Sequence, residues 1–181
     1  VDPELIQLSL SQEVVIEGAG EAQLSGVDRK AHKLLLAQAW TLAHEDEKAV
    51  PALTRAAELS SDGKLDVILA QTYMNLDRWE DAVTAIQRAL GKGGLDRPDQ
   101  ARVMLGQALF ELERFDEAIA WFERAVRTEP DLAAAQINLA RACLITGDAA
   151  RAHEAAQKAV ALDPSNESYR ATLAQARERL P

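Results

Sequence analysis

One cysteine, Cys143, is all that 181 residues contain, so no intramolecular disulfide can staple the fold and the redox compartment stays open. Aromatic residues are nearly as scarce at 4%, which argues against a sandwich of aromatic-rich strands. Basic residues are outnumbered, 20 Lys and Arg against 29 Asp and Glu, for a formal charge of −9. Without a basic stripe to displace counterions, the chain is not expected to bind nucleic acid, and anionic lipid headgroups would repel it. No apolar run approaches the roughly 20 residues that span a bilayer. Nor does a basic segment precede an apolar stretch, as it would in a secretory leader. The opening Val1-Asp2-Pro3 suggests a processed or excised product, so the missing leader does not imply a cytosolic home.

What the chain does have is apolar content, 48% of the residues, much of it alanine and leucine. Ala49, Ala82, Ala118 and Ala152 each open an amphipathic helix, at spacings of 33, 36 and 34 residues. A period near 34 marks stacked helix-turn-helix units, an all-α solenoid in which each repeat buries its apolar face on the next. Residues 99–132 form the clearest unit: a first helix from Ala101 to Leu112 around Leu105-Gly106, a turn at Glu113-Arg114, a second helix from Phe115, and Pro130 to close. Residues 133–166 repeat it with Leu139-Ala140, a Gly147-Asp148 turn and Pro164, and residues 63–98 with Leu69-Ala70, Tyr73 and Trp79. Residues 30–62 are a weaker copy: Asp46 stands where an aromatic is usual, Pro51 falls early in the second helix, and Ser61 replaces the closing Pro. Small residues at Ala37, Ala70, Gly106 and Ala140 are expected to face the alanines of each second helix, letting the axes approach closely. Residues 167–181 predict a solvated capping helix. Residues 1–29 read as a degenerate or truncated repeat.

Chemistry has few places to hide. The stretch Gly91-Lys92-Gly93-Gly94 lacks P-loop spacing and follows a helix, so it reads as a helix stop with a two-residue insertion. His32, His44 and His153 lie on different elements without ligand spacing, and no metal or cofactor is expected. Cys143 sits inside a first helix and reads as a small buried hydrophobe. The Glu45-Asp46-Glu47 run reads as a solvated turn leading into a helix N-terminus. No nucleophile, acid–base pair or metal set converges, so a non-enzymatic protein is expected.

The Leu105-Gly106 pair, the Ala118-x3-Phe122 spacing and Pro130 resemble the tetratricopeptide repeat. That resemblance implies a right-handed α-solenoid whose first helices line a concave groove for a protein or peptide partner. Carried over by register, the groove rows are Leu34, Val67, Val103 and Ile137; Gln38, Gln71, Gln107 and Arg141; and Thr41, Met74, Phe110 and Leu144, with Asn75 alongside. Three glutamines in register suit the amides of an extended ligand, though Gln is equally a good exposed helix former; both readings stand. Members that clamp a C-terminal carboxylate use Lys, Asn and Arg in the groove. Here the matching positions are Leu34, Gln38, Val67, Gln71 and Val103, so that clamp is not expected. Self-association through an end of the array is the alternative to partner binding.

The phrases Asp62-Gly63-Lys64, Asn75-Leu76-Asp77-Arg78-Trp79 and Gly93-Gly94-Leu95-Asp96-Arg97-Pro98-Asp99 resemble periplasmic tetratricopeptide proteins of TonB-type energy transduction systems. That resemblance implies a periplasmic accessory binding components of the complex, with a cytoplasmic location as the alternative.

Overall fold

The computed structural model describes residues 46–180, which form eight helices joined by short turns. They are α1 (Asp46–Leu59), α2 (Lys64–Asn75), α3 (Trp79–Lys92), α4 (Pro98–Glu111), α5 (Phe115–Thr128), α6 (Ala133–Thr146), α7 (Ala149–Leu162) and α8 (Glu167–Glu178). Consecutive helices pack against one another throughout, giving an α-solenoid. The expected segment 1–29 and the first helix of the 30–62 unit lie outside the described residues.

The alanine period is a packing constraint. Ala49, Ala82, Ala118 and Ala152 are all fully buried, as are Ala70, Gly106 and Ala140 in the first helices. Gly106 has a more particular neighbour than its register partner Ala118. A Cβ built there would come within 3.0 Å of three ring atoms of Phe122, itself fully buried. Glycine at 106 is therefore the seat of the Phe122 ring. Leu69, Leu105 and Leu139 are buried as well, filling the layer between repeats.

Turn chemistry sets the helix ends. Asp77 and Glu113 adopt left-handed backbone at φ 55° and 58°, and Gly147 takes the same role at φ 86°. After α3 the chain leaves through Gly93 and Gly94, both at φ 70°, a conformation that costs glycine nothing. This is the expected helix stop and insertion. Helix α4 begins at Pro98, three residues before the expected Ala101, because proline's fixed φ and missing N–H suit a first helical position. In α1, Pro51 lies in the second turn rather than the first, because the helix already begins at Asp46. Asp46 itself, at the usual aromatic position, accepts a hydrogen bond from the Asn75 side chain at 3.0 Å. That bond ties the start of α1 to the end of α2.

One ion cluster is buried. Asp66 of α2, fully buried, accepts from Arg88 Nε and from Lys92 Nζ (2.8 Å), both on α3. Lys92 also donates to the Ala57 carbonyl of α1 at 2.6 Å, so its ammonium joins three helices.

At the C-terminal end, α8 is capped by Asn166, whose side chain accepts from the Tyr169 N–H. Its Arg170, Arg177 and Glu178 occupy the repeat positions of the buried Gln136, Cys143 and Leu144. All three are exposed, so the last helix turns charge outward where an inner repeat would bury its successor. Arg179 donates to the Leu144 carbonyl at 2.8 Å and pins this cap to α6. Thr172, also buried, joins the expected Ala176 on its inner face.

Candidate functional site

First helices lie on the inside of the curve. Helix α4 packs on α6, and α6 on α8, whereas the second helices α3, α5 and α7 make no comparable contact with one another. The inner surface is thus built from α2, α4, α6 and α8, and two adjoining concavities open on it.

One concavity, about 500 Å³, lies between α2 and α4 and is mainly apolar, with Val67, Ile68, Leu95 and Met104 on its walls. Gln71 and Gln100 supply amides, and Lys64 closes one end by pairing with Asp96 at 2.9 Å. Asp96 holds the Lys64 ammonium above its ordinary pKa, through that hydrogen bond first. The pair is solvent-exposed and salt-screened, so it shapes the rim more than it stabilises the fold. The other concavity, about 310 Å³, is more enclosed and draws on three first helices: Met74 of α2, Gln107, Phe110 and Glu111 of α4, and Asn138 and Arg141 of α6. Trp79 and Phe122 complete its wall. Phe110 is fixed by an edge-on contact with Phe115, ring centroids 5.2 Å apart, and Arg141 is tethered by donating to Ser168 Oγ at 2.8 Å.

Of the expected groove residues, Val67, Gln71, Met74, Gln107, Phe110 and Arg141 line these concavities. Three others require correction. Val103, Ile137 and Leu144 are only 4%, 3% and 4% exposed, packed between helices rather than open to a ligand. The accessible row is the next one along, Ile68, Met104 and Asn138, each half-buried and each on a concavity wall. One residue turns about 100° around a helix, enough to exchange an inter-repeat face for a groove face. Asn75 is exposed but engaged, accepting from Gln71 Nε2 at 3.0 Å while donating to Asp46. The glutamine row is also divided, Gln71 in one concavity and Gln107 in the other. Leu34, Gln38 and Thr41 lie outside the described residues, as do His32 and His44.

Cys143 is fully buried, and burial pushes its thiol up to about 11 from an ordinary 9.0. The folded chain keeps its proton over that interval while the unfolded chain loses it, so stability should fall as pH climbs from 9.0 towards 11. A thiol reagent at pH 8 should accordingly label the native protein far more slowly than the urea-unfolded chain; equal rates would show an accessible thiolate. Among the described residues, no group of three His, Cys, Asp or Glu side chains is placed to hold a metal ion, and no helix is long and apolar enough to cross a membrane.

Two tetratricopeptide-repeat family models match residues 69–133 and 109–176, which together run from the middle of α2 into α8. The chain is a tetratricopeptide-repeat protein. It is 44% identical over 71 residues, 39% of its length, to the Hsp70-Hsp90 organizing protein of Triticum aestivum. The tetratricopeptide array spans only 12% and 24% of the lengths of the curated relatives it matches. Among solved structures, it resembles MamA (residues 41 to the end) from Desulfovibrio magneticus RS-1, with TM-score 0.73, 22% identity, and 84% of this chain and 91% of that one covered. The yeast Sti1 TPR2B domain, solved with an Hsp70 peptide, gives TM-score 0.61 at 21% identity, covering 67% of this chain and all of that one. At these identities the structural likeness is one of fold.

Proposed function

We propose that this tetratricopeptide array is a non-enzymatic docking module that holds an extended peptide segment of a partner protein along α2, α4 and α6. The observation that carries this reading is the pair of adjoining concavities on one inner face, apolar on their walls and edged by amides. An extended strand directs alternate side chains to one side and leaves its own amides to be satisfied. Val67, Ile68 and Met104 would take apolar side chains; Gln71, Gln107 and Asn138 would meet backbone groups. Repeats of this family mediate protein–protein interactions, and the Sti1 domain of the same fold carries an Hsp70 peptide. The ligand chemistry differs from a carboxylate clamp, since Val67 and Gln71 stand on the concavity wall where such a clamp needs cations and amides. A buried carboxylate there would lack its cationic partners.

The variant Gln71→Ala, Gln107→Ala, Met104→Glu should lose partner capture at least tenfold with only a small fall in melting temperature, since all three side chains line the concavities and only Met104 also leans on the core. Retained capture would sink the reading, and a large fall in melting temperature would show that these residues serve the fold instead. Placement in the periplasm beside a TonB-type complex belongs to the same proposal and rests on the turn phrases alone. Capture from a bacterial envelope fraction, repeated with the groove variant, tests it: the partner recovered must belong to such a complex.

A further inference from the structure

A third concavity, about 520 Å³, lies beside the proposed groove and meets it at Leu95, against the last turn of α3 and the second half of α5. Among its lining residues are Leu90, Arg102, Trp121, Arg124, Arg127 and Thr128. Four of these are repeat equivalents of the buried ion cluster one repeat earlier. Ala57 corresponds to Leu90, Asp66 to Arg102, Arg88 to Arg124 and Lys92 to Thr128. In that earlier repeat the first helix supplies a carboxylate and the second helix grips it with two cations. In the later one Arg124 is kept, but the carboxylate has been replaced by a second arginine, Arg102. Trp121 replaces Ala85 beside it, and the two-residue insertion through Gly93 and Gly94 forms the opposite wall.

The charges do not cancel. Arg102 is paired with Asp99, a buried carboxylate one turn before it. Arg124 lies over the Trp121 ring, 4.4 Å from its centroid, and among the described residues no carboxylate lies within ion-pair distance of Arg124 or Arg127. Glu129, the nearest acid in sequence to Arg127, is turned towards Arg97 at 3.9 Å. In a chain of net charge −9, two guanidinium groups with no acid beside them among the described residues, at the mouth of one concavity, are a local reversal of sign.

We infer that this concavity binds a phosphoryl group, seated where the Asp66 carboxylate sits in the preceding repeat. After Asp99 offsets Arg102, two positive charges remain, matching an oxyanion of about −1.5 to −2 at neutral pH. Guanidinium forks present paired N–H donors to such oxygens, and the apolar walls of Leu90 and Trp121 would carry the remainder of the ligand. The phosphoryl group belongs either to a free phosphate compound or to a phosphorylated side chain of a peptide. The arginines of this site do not line the groove, and its test does not require the groove's partner.

Calorimetric titration of the full chain at constant ionic strength uses three probes: inorganic phosphate, a phosphoserine peptide, and the same peptide unphosphorylated. Saturable binding of phosphate or the phosphopeptide, with none of the unphosphorylated peptide, is expected. The tighter of the two phosphate-bearing probes identifies the source. Arg124→Gln with Arg127→Gln should weaken binding at least tenfold without lowering the melting temperature. The variant Arg102→Asp with Thr128→Lys rebuilds the earlier repeat's internal carboxylate and should abolish phosphate binding while the protein stays folded. No saturable binding by the wild type, or equal affinity in all three proteins, overturns the proposal.

Discussion

Phe122→Ala is expected to destabilise the array by about 3–5 kcal/mol, the range for deleting a buried aromatic ring. The ring is fully buried and seated on Gly106, where the α4 backbone offers no side chain to fall into the void. For a chain of this size each kcal/mol moves the melting temperature by about 2–4 °C, so the loss is easily read in a thermal scan. Gly106 sharpens the test. Glycine inside a helix costs about 1 kcal/mol relative to alanine, so Gly106→Ala should stabilise a helix that has room for a methyl. With Phe122 present it has none, and the substitution should destabilise. In the Phe122→Ala background the same change should stabilise, because the methyl enters the vacated space. A double-mutant cycle that fails to show this reversal of sign would mean that the ring and the glycine are not coupled.

The second large effect is expected at the buried ion cluster. Replacing both Arg88 and Lys92 with Met leaves the Asp66 carboxylate fully buried without its cations, at a cost of about 3–5 kcal/mol. Either single replacement should cost much less, since the remaining cation still reaches Asp66. Adding Asp66→Leu to the double variant should restore much of the stability, because the buried charge itself is then gone. Urea denaturation of the four variants and the wild type checks this order. A double variant as stable as the wild type would show that Asp66 reaches water when released.

The architecture was legible in the sequence because close helix packing restricts residue choice at fixed intervals. An alanine at 49, 82, 118 and 152 is demanded by the neighbouring axis, whatever the ligand. The turns were legible for a related reason: Gly93, Gly94 and Gly147 mark backbone that other residues rarely adopt. Groove positions are a harder problem. Val67, Val103 and Ile137 share a chemistry and so stood out as a row, yet two of the three are buried. The accessible row, Ile68, Met104 and Asn138, has no common chemistry to recognise. Asp66 was equally silent, since its meaning depends on cations 22 and 26 residues further on and on a carbonyl from the preceding helix. Reading it required the fold first.

Every helix in the described region leans on neighbours one or two places along the chain. An array joined in this way has, among the described residues, no distant latch that must give before anything moves. Drawn out from its ends, it should yield one unit at a time and recoil when released, so a load passed through a docked partner would be absorbed as the stretch of a spring rather than a single rupture.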